Sequence, residues 1–435
     1  MRAASRASLS LIFTACAALA FAACTPQKTR TVSTTAQATA ASKTADPLLD
    51  KITGKTAGKL TSKGGTAPAV PQGRILPAGQ PVKVAMLLPL SGRLPQIGEQ
   101  LMNAAQLALF ELPPNSLELL IEDAGDTPEM AAQAMQRALH EGAQLALGPL
   151  LARQVRPASN VARSGNVNLI AFSNDTRQLD GYAFSMGLTP AAQAERVVSY
   201  AVAQGYGQVA ILAPDTDFGR QSAQGAQNGA VSAGGRIVST VFYPAQQIDI
   251  TESIRSLAGP YRALLLPDRH DRMSSLAPAL GSEGITPATT RFLGSGLWHS
   301  NALLTEPNLQ GSWFPTADPQ TYNSFAARYR EAYGSTPQPL AAMAFDAVTL
   351  AGYLARQIAG QTQARQARAA TATPGQWVGL DRNSLLNPAG FSGVGGIFRF
   401  RTDGAAQRGL AILQIDPDGF SIAAPAPAAF PALTN

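Results

Sequence analysis

The sequence predicts an α/β protein of two lobes with parallel sheets, preceded by a lipoprotein signal and a disordered linker. Three observations carry that reading. From Val82 onward, apolar runs of strand length alternate with segments of helical period. The alternation restarts near Ala194, and nothing before Pro81 follows either pattern. With 435 residues, 45% of them hydrophobic, the chain is long enough for a two-lobed fold with a sizeable core.

The elements follow in order. Arg2 and Arg6 precede an apolar run, Leu9 to Ala23, which is too short and too early for a comfortable membrane span and suits an export signal, 1–23. Phe21-Ala22-Ala23-Cys24 resembles a lipobox, which makes Cys24 the lipidated residue, with Phe21 in the place usually held by Leu. No cysteine follows Cys24, so a chain beginning there has no disulfide and no second thiol. Thr25 follows instead of the Asp that commonly retains lipoproteins in the inner membrane. For a Gram-negative source this places the anchor on the periplasmic side of the outer membrane.

Residues 24–80 are rich in Thr, Ala, Ser, Lys and Gly, too poor in large apolar groups to offset their ordering entropy, and are expected to be a flexible linker. The linker holds eight cations against Asp46 and Asp50, which leaves 24 cations and 26 anions in residues 81–435. The basic pI therefore belongs to the N-terminal tail, and the body is not expected to be a basic nucleic-acid-binding domain.

Val84-Ala85-Met86-Leu87-Leu88 is continuous enough for a strand covered on both faces. Ile97, Leu101, Ala104, Ala105 and Ala108 mark the next helix. Strands at 117–121, 144–147 and 167–172 then alternate with helices at 128–141 and 152–162. The second series runs through a helix at Ala194–Ala201, a strand at 208–213, a helix at 220–233 and a strand at 236–242. It continues with a helix at 251–257 and strands at 263–266 and 291–294. A loop-rich stretch through Trp298 and Trp313 follows, then helices around Tyr322–Tyr333 and Met343–Ile358. Gly396–Arg401 and Leu410–Ile415 are expected to form two strands joined by a Thr402-Asp403-Gly404 turn, and 421–435 a Pro/Ala-rich tail.

Catalytic signatures are missing from the sequence. There is no Walker loop, no G-x-S-x-G elbow and no S-x-x-K, and His140, His270 and His299 stand far apart. Asp268-Arg269-His270-Asp271-Arg272 is best taken as a solvated loop after a strand, its arginines neutralising the carboxylates. The expectation is a protein that is no enzyme, with no cofactor and no metal.

Leu87-Leu88-Pro89-Leu90-Ser91-Gly92, Gly98, Glu122-Asp123, Thr127-Pro128, Gly148-Pro149, Pro214-Asp215 and Asp217-Phe218-Gly219 together resemble the type I periplasmic-binding-protein fold of leucine- and branched-chain amino-acid-binding proteins. The resemblance covers about 81–420. It implies two Rossmann-like lobes, about 81–189 with 316–390 and about 190–315 with 391–420. Phe172-Ser173-Asn174-Asp175 and Gly390-Phe391-Ser392-Gly393, with Gly396 and Phe398, are similar to one branch, the lipoproteins known as penicillin-binding protein activators. That branch implies a non-catalytic regulator of peptidoglycan synthesis with a penicillin-binding protein as partner. The alternative is the substrate-binding lipoprotein of an ABC importer for amino acids or a related small ligand. Amino-acid-binding members usually hold the ligand's α-carboxylate with a Ser a few residues beyond the Gly of the third-strand loop. Here the loop reads Gly148-Pro149-Leu150-Leu151-Ala152-Arg153, and the hydroxyl is missing at Ala152.

Any small ligand of such a fold lies at the carboxyl ends of the strands. The candidates are Ser91, Asp126, Ser173, Asn174, Asp175, Thr176, Asp215, Tyr243, Asp268 and Trp298. Ser91, Asp126 and Asp175 also suit helix caps or turns, whereas Ser173, Asn174 and Asp175 form a polar trio after a buried strand.

Overall fold

The computed structural model describes residues 73–360, 368–369 and 374–430, all within one compact unit, Thr66–Asn435. The expected signal peptide, Cys24 and the linker as far as residue 72 lie outside the described residues, as do 431–435.

The first sheet is parallel throughout. Its strands are β1 (Val82–Leu88), β2 (Leu117–Asp123), β3 (Leu145–Leu147), β4 (Asn168–Ala171) and β5 (Ala183–Ser185), in the order β2-β1-β3-β4-β5. β1 is apolar on both faces because both are covered. Val84, Met86 and Leu88 pack against α1 (Pro95–Phe110), α8 (Pro319–Tyr333) and α9 (Ala341–Gly360). Ala85 and Leu87 pack against α2 (Pro128–His140) and α3 (Ala152–Ser164).

The second sheet repeats the device and is then extended. β6 (Gln208–Pro214), β7 (Arg236–Tyr243), β8 (Ala263–Leu265), β9 (Arg291–Leu293) and β10 (Trp313–Thr316) are parallel. β13 (Ala411–Asp416) and β14 (Gly419–Ala424) add an antiparallel hairpin, which makes the sheet mixed. Val209, Ile211 and Ala213 meet α4 (Pro190–Ala203) and α5 (Asp217–Ser232). On the other face, Ala210 and Leu212 meet α7 (His270–Ser282) and α6 (Thr251–Arg255). α4 and α5 approach through glycine: a methyl group at Gly225 would stand 2.6 Å from the Ala191 Cα, and one at Gly229 2.9 Å from the Glu195 Cα.

The chain passes between the sheets three times: through 186–189 after β5, through 317–318 after β10, and through 409–410 after β12 (Ala406–Arg408). Several expectations change here. The Thr402-Asp403-Gly404 turn closes a shorter hairpin, with β11 (Phe398–Phe400) pairing with β12, while β13 pairs with β14. Phe391, Phe398 and Phe400 pack in the first lobe's core, so the chain leaves that lobe at Gly409, not at 391. β14 runs to Ala424, into the expected tail. The expected linker ends sooner: the Arg74 N–H donates to the Gln376 carbonyl at 2.7 Å, the Val378 N–H donates to the Arg74 carbonyl at 2.9 Å, and Leu76 is buried. Residues 270–272 begin α7 instead of lying in a loop.

The α4–α5 contact can be tested by substitution. Gly225→Ala is expected to cost about 1–3 kcal/mol, because backbone on the facing helix must yield. Gly207→Ala, where the added methyl meets nothing within 4 Å, should stay within about 0.5 kcal/mol in urea titrations.

Candidate functional site

The ends of the first sheet, the three crossover segments and the loops of the second lobe enclose a cavity of about 540 Å³. Phe172, Ser173 and Asn174 enter it from the end of β4; Gly187 and Leu188 belong to the first crossover, Thr316 and Ala317 to the second, and Arg408 and Leu410 to the third. Leu340, Met343 and Asp346 face it from the start of α9, and Phe218 and Leu297 from the second lobe.

Two charged side chains line this space, and they face each other. α9 is buried over most of its circumference, and Asp346 on it has no exposure at all. One carboxylate oxygen of Asp346 accepts the Val394 N–H at 2.6 Å; the other stands 3.5 Å from Arg408 Nη1. Arg408, its side chain 6% exposed, also donates from Nε and Nη2 to the Met186 carbonyl, at 3.2 and 3.0 Å, and lies over the Phe398 ring. Burial pushes the Asp346 carboxyl up from the usual carboxylate range, against the pull of Arg408 and the N–H groups of Val394 and Gly395. The loop can wrap the carboxylate only because residue 393 is glycine: a Cβ there would stand 2.5 Å from Asp346 Cγ.

The remaining polar groups are neutral. Ser173 Oγ accepts the Asp175 N–H at 3.1 Å. Gln193 accepts the Gly296 N–H at 2.7 Å and donates to the Leu188 carbonyl at 3.3 Å. His299 packs at an angle against Phe314 and edge-on to Phe420, and partial desolvation lowers its pKa from 6.5, which favours the neutral imidazole.

Of the residues singled out from sequence, Ser173 and Asn174 line the cavity. Asp175 turns away, capping the 3-10 turn Thr176–Gln178 and pairing with Arg177 at 2.9 Å. Thr176 borders a smaller groove of about 170 Å³ beside Glu195 and Arg401. Ser91 and Asp126 lie on the first lobe's rim: Asp123 accepts the Ser91 N–H at 3.2 Å, and Asp126 pairs with Arg93 at 3.0 Å. Asp215 pairs with Arg220. Tyr243 and Trp298 are fully buried in the second lobe, where both serve Asp268: the Tyr243 hydroxyl donates to its carboxylate at 2.6 Å, and the Trp298 indole to its carbonyl at 3.1 Å. Burial and Asp268 together raise the Tyr243 pKa.

At the loop lacking a hydroxyl, Leu150 reaches the cavity, Leu151 caps α3 without a side-chain bond, and Arg153 donates to the Asp126 carbonyl at 2.9 Å. Asp346 and Arg408 were not found from sequence, although a lone carboxylate in an apolar helix and glycines at 393, 395 and 396 were available signals. The lobes are also bridged on the surface, where Arg177 meets Asp217, the first residue of α5, at 2.7 Å. Among the described residues no three His, Cys, Asp or Glu side chains group as a metal site, and no helix is long and apolar enough to cross a membrane.

Two α/β lobes joined by three crossovers around a cleft at their strand ends define a bilobal binding-protein architecture. The periplasmic binding protein family model matches residues 81–420, and the chain belongs to that family. Over 143 residues it is 31% identical to the penicillin-binding protein activator LpoA of Haemophilus ducreyi, and over 145 residues 30% identical to that of Glaesserella parasuis. Each match takes in 32% of this chain and 24% of the relative, so the chain matches about a quarter of the length of these relatives. A branched-chain amino acid ABC transporter periplasmic ligand-binding protein from Burkholderia xenovorans shares the fold, with a TM-score of 0.60 at 15% identity over 79% of this chain and 94% of that one.

Removing one partner of the buried pair should be costly. Asp346→Ala is expected to lose about 3–5 kcal/mol of stability in chemical denaturation. Asp217→Ala, at an exposed pair, should lose no more than about 1 kcal/mol.

The Arg177–Asp175 pair beside that bridge has a pH signature. The Arg177 hydrogen bond holds the Asp175 carboxyl below its ordinary value of 3.8. Its contribution is therefore complete above that value and is lost as pH falls through the lower folded-state pKa. The stability gap between the parent and Arg177→Ala should narrow as acid titration proceeds below pH 3.8. A gap that stays constant across that range would show that the pair contributes nothing.

Proposed function

We propose that the chain is a non-catalytic, lipid-anchored protein of the cell envelope that acts as a penicillin-binding protein activator, regulating peptidoglycan synthesis by contact with a synthase. The observation that carries this reading is the pairing of Asp346 with Arg408. The cleft's two charged groups bind each other, so neither presents an uncompensated charge to the α-ammonium or α-carboxylate of an amino acid. Leu150 at the loop that serves carboxylates in amino-acid binders points the same way. The identity to two proteins named as penicillin-binding protein activators supplies the positive side.

Cys24 is proposed as the lipidated residue, with Thr25 after it favouring the periplasmic side of the outer membrane. The 48 residues from Thr25 to Gln72 would span roughly 40 Å relaxed and roughly 160 Å stretched, a reach suited to a partner rooted in another membrane. A second reading, the substrate-binding lipoprotein of an ABC importer, is favoured by the cavity itself and by the shared fold.

One experiment separates the two: capture of the chain from crosslinked cells, scored for penicillin-binding proteins against transporter permeases. Recovery of a synthase, together with a faster crosslinking rate when the purified chain is added to that synthase, is the expected outcome. Recovery of a permease alone would replace the proposal with the importer. Cys24→Ser should abolish palmitate labelling, and unchanged labelling would refute the anchor.

A further inference from the structure

The cleft is built as a small-molecule site, whatever protein the outer surfaces meet. Its volume of about 540 Å³ lies within the range of roughly 300–1,000 Å³ usual for such pockets. Hydrocarbon dominates the wall, with Leu150, Leu188, Leu297, Leu340, Met343 and Leu410 on its several sides. The hydrogen-bonding groups that reach it without a charge are Ser173, Asn174, Gln193, His299, Thr316 and Tyr322.

We infer that the cleft binds an uncharged, mainly apolar small molecule carrying an amide- or ester-like hydrogen-bonding group, and that it rejects free amino acids and other carboxylates. The reason is the arrangement of the two charges. Three of Arg408's five N–H groups already serve Asp346 and the Met186 carbonyl, so a carboxylate would have to draw the guanidinium away from Asp346, which has no exposure, or place a second negative charge beside it. To hold an ammonium, Asp346 would have to turn from Arg408 and the Val394 N–H. Either move strands a buried charge, and breaking such a pair is strongly unfavourable. A zwitterion would demand both at once. An uncharged ligand demands neither: its apolar body displaces water from the leucine-rich wall, and its polar group meets Ser173 or Asn174 at the end of β4.

This goes beyond the synthase proposal and does not depend on it. The synthase assay reads a protein partner, and a failure here would leave that result standing. The test uses the full chain, purified in detergent, and four derivatives of one side chain: N-acetylleucinamide (uncharged), leucinamide (cation), N-acetylleucine (anion) and leucine (zwitterion). Calorimetry should show the uncharged derivative binding at least tenfold tighter than the other three. Ala342→Trp and Leu340→Trp each fill the cavity from the start of α9; whichever folds as the parent does should abolish that binding. Leucine or N-acetylleucine binding as tightly as the uncharged derivative would overturn the inference. So would no heat from N-acetylleucinamide up to its solubility limit, or unchanged binding in a folded tryptophan variant.

Discussion

The pair formed by the fully buried Asp346 and the largely buried side chain of Arg408 is the constraint around which the junction of the two lobes is organised. Asp346 stands on a helix of the first lobe; Arg408 ends the strand that leads into the third crossover. Through the Met186 carbonyl, Arg408 also holds the start of the first crossover. The loop that closes over Asp346 approaches the second: a Cβ at Gly395 would stand 4.0 Å from the Ala317 Cβ, and the Val394 carbonyl accepts the Thr321 hydroxyl at 2.9 Å. Charges this deep are tolerated only with full partnering, which explains why the surrounding loop is glycine-rich and donates its N–H groups inward.

That arrangement also sets the chemistry of the cleft. Here the third-strand loop brings Leu150 to the cavity and carries no hydroxyl at Ala152, and the arginine at the cavity wall is already paired with Asp346. The cleft is therefore electrically self-contained, and any discrimination it exerts falls between charged and uncharged ligands.

Most of the sheet framework was legible in the sequence because burial on both faces writes itself as continuous apolar runs; β1 and β6 are the clearest cases. β5 and β10, three and four residues long, carry too few residues for any period to show. α7 was hidden by its charged first turn and by Pro278 within it. At the site, Ser173 and Asn174 could be found because polarity follows a buried strand at once. Asp346 and Arg408 could not be paired, since 62 residues separate them and only the crossovers bring them together. Tyr243 and Trp298 misled because an aromatic ring with a polar handle suits a binding wall and a core equally well; here Asp268 satisfies both handles inside the second lobe.

The direct test of this self-contained cleft is to free the arginine. In Asp346→Asn the pair's negative charge is gone and the side chain's shape is kept, so Arg408 becomes available to an anion. Calorimetry of N-acetylleucine against this variant and the parent is the measurement. The expected result is clearly tighter binding to the variant. Equal affinity for both, with the variant folded, would contradict the claim that Asp346 and Arg408 neutralise each other within the cleft.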